Sequence, residues 1–230
     1  MKKRWSVFIL LTCGALAGTA WFLTSSAPAQ AQKVIIQGRP VADWVNEVDL
    51  GGFPGQKNAA QEVLVSSGPQ VLPTLCQLLA MEESVKDLAM RIPFVPAEVK
   101  NRQATASPAL LRKAKAALVI GIIAYRNPTG PEIGTCIPFL TSSLGSGSRE
   151  VRSRAAQALG AIGKAATNSI PRLISTTDDE DAGVRMSGAE ALGRIGIATP
   201  PVIQALSAAS ADTNSDVSTT AKLAIQALKR

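Results

Sequence analysis

The sequence predicts an all-α fold, a solenoid of about five helical hairpins stacked along one axis. A helical pattern recurs every 33 residues, and its copies begin at Val151, Val184 and Val217. A second helical element precedes each copy at the same spacing, beginning at Ile137, Ile170 and Ile203. Each unit is therefore a pair of helices, and repeats of this length are typical of solenoids.

The second helix of each unit carries one apolar stripe. In the first copy its members recur at intervals of three and four residues: Val151, Ala155, Ala158, Leu159 and Ile162. This spacing puts them on one side of a helix. A single hairpin cannot bury such a stripe, so we expect neighbouring units to stack on it.

The predicted helix ends agree with the period. Gly163 and Gly196 fall where a helix is expected to end, since glycine adopts the left-handed conformation of a C-terminal cap. The acidic segments 178–181 and 212–216 precede the next helix, where the helix dipole favours negative charge. Segment 178–181 lacks the spacing of a calcium loop, so we interpret it as a helix cap.

Upstream of residue 137 the repeats become irregular. Second helices are predicted at 59–64 and 110–122, a first helix begins at Leu72, and residues 40–48 form an amphipathic helix. Between 81 and 108 the period breaks, with an extra helix expected over 81–91 and a loop over 92–107. We divide the chain into a leader (1–31), a cap helix and linker (32–55) and a solenoid (56–230) with an irregular insertion at 81–107.

The repeated signature Val-Arg-x-x-Ala-Ala-x-Ala-Leu-Gly-x-Ile-Gly, from Val151 to Gly163, resembles the HEAT-repeat superfamily. It is most similar to the short bacterial HEAT-like repeats also found in phycobilisome lyases. The stretch Gly38-Arg39-Pro40-Val41-x-x-Trp44 resembles the opening of exported bacterial HEAT-repeat proteins. The resemblance covers about residues 56–228 and implies right-handed stacking, a role in protein recognition and no reaction. It also implies that Arg152 and Arg185 pair with acids of neighbouring repeats.

The N-terminus has the pattern of an export signal. Lys2, Lys3 and Arg4 precede an uncharged stretch over 5–23, and Ala29-Gln30-Ala31 fits a cleavage site. The stretch is also long enough to span a bilayer as a retained anchor, and Leu10-Leu11-Thr12-Cys13 loosely resembles a lipoprotein motif. All three alternatives predict a domain that is exported, periplasmic or extracellular.

The composition argues against a catalytic function. The chain has no histidine, which removes the commonest general base and the commonest transition-metal ligand. The segment Gly160 to Lys164 fails as a phosphate-binding loop, because Ala158 and Ala165 stand where glycine and Ser/Thr are required. We expect no enzyme, no cofactor and no metal site; the alternative, implied by the resemblance, is an enzyme or enzyme subunit related to phycobilin lyases.

Two cysteines remain beyond the leader, Cys76 and Cys136. They fall in predicted helices of different repeats, so we expect two separate buried thiols, although an oxidising compartment would allow a disulfide.

The candidate binding surface is a column of polar residues on the second helices. Alignment of the repeats puts five residues on it: Lys113, Arg154, Gln157, Glu190 and Arg194. The resemblance implies that this helix lines the concave face, where a protein or peptide partner binds. Without Lys2, Lys3 and Arg4, the balance of 24 basic and 17 acidic residues falls from +7 to +4. The chain has no dense basic cluster, so we expect no nucleic-acid partner.

Overall fold

In the computed structural model, residues 34–50, 58–81, 107–127 and 130–229 are described. The predicted leader (1–31) and the extra helix expected over 81–91 lie outside these residues, except for Met81, which follows a helix. The described part contains two short strands and ten α-helices. These are β1 (Ile35–Ile36), β2 (Arg39–Pro40), α1 (Val41–Glu47), α2 (Ala59–Ser66), α3 (Leu72–Ala80), α4 (Pro108–Arg126), α5 (Ile137–Ser143), α6 (Arg149–Ile162), α7 (Ile170–Thr176), α8 (Ala182–Ile195), α9 (Pro200–Ala209) and α10 (Ser215–Leu228).

The helices form two layers, as predicted for a solenoid. The second helices α4, α6, α8 and α10 pack on one another in order, and the first helices α5, α7 and α9 each pack against the second helix of their own unit. The predicted stripe is buried: Val151, Ala155 and Leu159 are fully inaccessible. Because the second helices share one continuous core, neighbouring units stabilise one another.

Small residues let the second helices approach closely. A side chain at Gly160 would lie 2.9 Å from the Cα of Ala191, and one at Gly193 would lie 2.7 Å from the Cβ of Ala224. Gly121 faces Ala158 in the same way, at 3.2 Å. Each glycine therefore marks a contact with the next second helix.

Arginines join the loops of successive units. The Arg152 guanidinium donates to both carboxylate oxygens of Asp179 at 2.7 Å and to the carbonyl of Ser146. Arg185 repeats this arrangement, donating to Asp212 at 2.7 and 3.0 Å and to the carbonyl of Asp179. Each arginine thus holds the loop before its own helix against the next loop, which confirms that Arg152 and Arg185 pair with acids of the neighbouring repeat.

The helix ends follow the predicted chemistry. Gly163 and Gly196 end α6 and α8 with φ values of +68° and +75°; Gly196 has the expected left-handed conformation, whereas Gly163, with a ψ of −137°, does not. The Asp181 carboxylate accepts a hydrogen bond from the backbone N–H of Val184 and caps α8. Segment 178–181 therefore caps α8 through Asp181 and pairs with Arg152 through Asp179.

A small hairpin precedes α1 and was not predicted. β1 and β2 pair antiparallel through a turn in which Gln37 and Gly38 have positive φ. The Arg39 guanidinium lies 4.4 Å from the centre of the Trp44 ring and pairs with Glu47. These contacts give the Gly38-to-Trp44 stretch a structural role, because they fix the hairpin against α1.

Cys76 and Cys136 form a disulfide, with their Cα atoms 5.5 Å apart. The expectation of two separate thiols is wrong. Cys136 ends a 3₁₀ turn (Pro131–Cys136) that packs against α3, which brings the two cysteines together despite 60 residues of separation.

In the described residues, no single helix is long and apolar enough to cross a membrane. Helix α2 and the stretch Gly68–Ala80 meet that criterion only as a pair bent by 109°.

Candidate functional site

The structure removes Lys113, the first residue of the predicted polar column, from that column. Lys113 is 7% exposed, so it does not belong to a solvent-facing column. The burial pattern of α4 matches that of α6 at an offset of 39 residues, which makes Lys113 equivalent to Arg152 and Lys115 equivalent to Arg154. Alignment across the irregular insertion had shifted α4 by two residues.

Arg154 lies on the exposed side of α6, but the chain itself occupies its guanidinium. It donates to Glu150 at 2.9 Å, to Gln157 at 3.2 Å and to the backbone carbonyl of Leu50 at 2.9 Å. The segment after α1 therefore covers this part of the second helices.

The cations of α4 make similar contacts with α1. Arg112 donates to the side chain of Asn46, and Lys115 donates to the Asn46 carbonyl at 2.6 Å. A cation near the last carbonyls of α1 also complements the helix dipole. The basic residues in the N-terminal halves of α4 and α6 thus serve internal packing.

Three of the predicted residues remain together nearer the C-terminal ends of the second helices. Gln157 on α6 donates to the Ser187 hydroxyl at 3.3 Å. On α8, Arg194 Nε lies 3.3 Å from Oε1 of Glu190, and both side chains are more than two-fifths exposed. Arg194 also faces Tyr125 of α4, with 5.8 Å between the guanidinium carbon and the ring centre.

Between these residues lies an open groove of about 190 Å³ that crosses α4 and α6 and ends at α8. Leu118, Ile122 and Tyr125 form its wall on α4, and Gly121 and Ala158 form part of its floor. The opposite side is formed by Gln157, Ala161 and Arg194. We call this feature the Tyr125 groove.

Sequence reasoning found Gln157 and Arg194 but missed the apolar wall. At the corrected offset of 39, Leu118 is equivalent to Gln157 and Ile122 to Ala161. The sequence does contain a signal for this wall. Leu118 and Ile122 are large and apolar, whereas the equivalent residues of the next repeat, Gln157 and Ala161, are polar and small. That signal could be found only with the correct register of α4.

The size of the groove limits what it can hold. Pockets that bury a drug-sized ligand measure roughly 300–1,000 Å³. At about 190 Å³, the Tyr125 groove suits a single apolar side chain of a larger partner. Among the described residues, no three His, Cys, Asp or Glu side chains form a group that could hold a metal ion.

Comparison with known proteins agrees with the architecture. Residues 137–229 match the family model of HEAT repeats. This stretch covers α5 to α10, so the three regular hairpins are similar to HEAT repeats.

No curated protein matches the chain in sequence. Among solved structures, the chain is similar to a designed armadillo repeat protein in complex with the peptide (KR)4. The two are 16% identical with a TM-score of 0.44, and the match covers 82% of this chain and 99% of that one. A second designed armadillo repeat protein has 15% identity and a TM-score of 0.33, over 82% of this chain and 99% of its own.

Proposed function

We propose that this protein is a non-catalytic scaffold that binds a protein partner through the Tyr125 groove. The observation that carries the proposal is a groove shared by three successive second helices, with an exposed tyrosine at one side and an exposed arginine at the other. Tyrosine and arginine are enriched at protein interfaces, where they supply large contact area and directed hydrogen bonds. Tyr125 is 70% exposed, so most of its ring is available to a partner.

Site-specific photocrosslinking in the native host tests this function. A photoreactive amino acid replaces Tyr125 in one variant and Arg172, an exposed residue of the first helix α7, in a matched variant. We expect the Tyr125 variant to crosslink to one defined protein and the Arg172 variant to crosslink to none. A defined product from position 172 alone would place the partner on the first helices and contradict the proposal.

We further propose that the solenoid acts outside the cytoplasm. The basic start, the uncharged stretch over 5–23 and the Ala29-Gln30-Ala31 pattern support export. The Cys76–Cys136 disulfide supports it independently, because structural disulfides persist mainly in oxidising compartments.

Intact mass of the protein purified from its native host tests the export proposal. We expect a chain that begins at Gln32, since Ala29 and Ala31 satisfy the small-residue rule for cleavage. A species that retains Met1 in the membrane fraction would instead establish an anchor. Full-length protein in the cytoplasmic fraction would contradict export.

A further inference from the structure

The residues that line the Tyr125 groove indicate what kind of protein segment it binds. The scaffold function alone does not specify this. The groove has an apolar side, where Leu118 and Ile122 are half-buried beside the exposed Tyr125 ring. Contact of a leucine or phenylalanine side chain with such a surface is favourable, because it removes apolar area from water. This side therefore favours an aliphatic or aromatic anchor.

The charge of the groove comes from Arg194. It is the one ionised side chain among the described residues that line the groove. Glu190 lies nearby but already contacts the Nε of Arg194.

Arg194 differs from the other arginines of α6 and α8 in what its guanidinium contacts. Arg149, Arg152, Arg154 and Arg185 each donate to a carboxylate, and the last three also donate to backbone carbonyls of the chain. The terminal Nη groups of Arg194 donate to no group within the described residues, and its side chain is 45% exposed. A guanidinium with both Nη groups accessible can bind a carboxylate through two parallel hydrogen bonds.

We propose, on the basis of the scaffold function above, that the groove binds an extended protein segment in which a large apolar residue is flanked by Asp or Glu. The apolar side chain enters the groove against Leu118, Ile122 and Tyr125, and a neighbouring carboxylate binds Arg194. Charge complementarity selects this ligand over a basic one, because a Lys or Arg beside the anchor would face Arg194.

Fluorescence anisotropy with short labelled peptides tests the ligand class. The probe is a peptide of repeated Leu-Glu-Ser-Gly units, and two matched peptides carry Lys in place of Glu or Ser in place of Leu. We expect saturable binding of the Leu-Glu peptide and at least about tenfold weaker binding of both relatives, because the Lys peptide loses the hydrogen bonds to Arg194 and the Ser peptide loses its apolar anchor. Binding should weaken at high salt.

Matched variants locate the binding site. Arg194→Gln should weaken binding of the Leu-Glu peptide about tenfold, and Arg172→Gln, the same change at an exposed arginine of α7, should leave it unchanged. Tyr125→Ser should weaken binding without loss of helicity, because that side chain is 70% exposed. Equal affinity for the Lys peptide, or no saturable binding of the Leu-Glu peptide at about 1 mM, would overturn the proposal.

The outcomes separate this inference from the proposed function. A native partner crosslinked at Tyr125 whose contact segment carries no carboxylate beside its apolar anchor would preserve the scaffold and refute the ligand class. Specific binding of the Leu-Glu peptide without any native product crosslinked at Tyr125 would support the chemistry of the groove and refute the scaffold function.

Discussion

From α4 onward the second helices pack through one recurring set of contacts, whereas α1, α2 and α3 are joined to the rest of the chain by contacts that occur once. In the first region, the Arg152–Asp179 pair reappears as Arg185–Asp212, and the Gly160–Ala191 approach reappears as Gly193–Ala224. The second region depends on the stacking of Arg39 on Trp44 and on the Cys76–Cys136 disulfide.

The difference shows two ways to stabilise a solenoid. Regular repeats are stabilised by the same nearest-neighbour interface several times over, so a defect in one second helix spreads through a shared core. Irregular repeats lack that regular interface and need contacts between residues distant in sequence. The following changes test each region in turn.

The largest loss of stability is expected from Leu159→Asp, in the regular region. Leu159 is fully buried within the core shared by neighbouring units, so the mutation places an unpaired charge there. Leu→Ala at such a site typically costs about 2–5 kcal/mol, and an aspartate costs more. We expect loss of most of the helical circular dichroism signal. Leu223→Asp, the same change at a leucine that is 59% exposed, is the control and should retain it.

The irregular region should depend on its disulfide to a similar degree. For a loop of 60 residues, chain entropy predicts a stabilisation of roughly 4 kcal/mol. The variant with both Cys76→Ala and Cys136→Ala should therefore unfold at lower denaturant concentration than the wild type. Strong reductant should shift the wild type toward the variant and leave the variant unchanged. Identical unfolding curves would show that α3 and the Pro131–Cys136 turn hold together without the disulfide.

The regular region was also the part that the sequence predicted best. The period placed α5 to α10, the caps at Gly163 and Gly196, and the resemblance placed the pairing of Arg152 and Arg185. These features are local or recur at a fixed offset, so one sequence reveals them several times.

The irregular region was predicted less well because its contacts occur only once. The partner of Cys76 depends on how the 3₁₀ turn before α5 packs on α3, which no periodicity encodes. Lys113 was misplaced because the register of α4 had to be carried across an irregular segment. The same error concealed the equivalence of Leu118 with Gln157 and hence the apolar side of the Tyr125 groove.

A smaller loss of stability is expected from Gly160→Ala. The added methyl would lie 2.9 Å from the Cα of Ala191, so the backbone of α6 or α8 must move, at a cost of about 1–3 kcal/mol. That cost outweighs the gain of up to about 1 kcal/mol from higher helix propensity. Thermal unfolding should show a lower Tm than in Gly134→Ala, whose added methyl meets no atom within 4 Å. A raised Tm in Gly160→Ala would mean that the second helices are not in close contact there.

The smallest loss of stability is expected from a change at Asp212, whose carboxylate joins the loop before α10 to Arg185. The Arg185 guanidinium hydrogen-bonds the Asp212 carboxylate and, with the Asn214 backbone N–H, lowers its pKa. A carboxylate whose pKa is lower in the folded chain stabilises the fold at pH values above its ordinary pKa. That contribution disappears as the pH falls through the lowered value.

Asp212→Asn should therefore lower the Tm by a few degrees at neutral pH, and the difference from the wild type should shrink as the solution is acidified below the ordinary pKa of Asp. The same substitution in an Arg185→Gln background is the control: it should have a smaller effect, because the partner that lowers the pKa of Asp212 most is gone. A Tm difference that stays constant into acid would show that the charge of Asp212 does not stabilise the contact. The contact between successive loops would then depend on the hydrogen bonds that Arg185 donates to the uncharged carbonyls of Asp179 and Glu180.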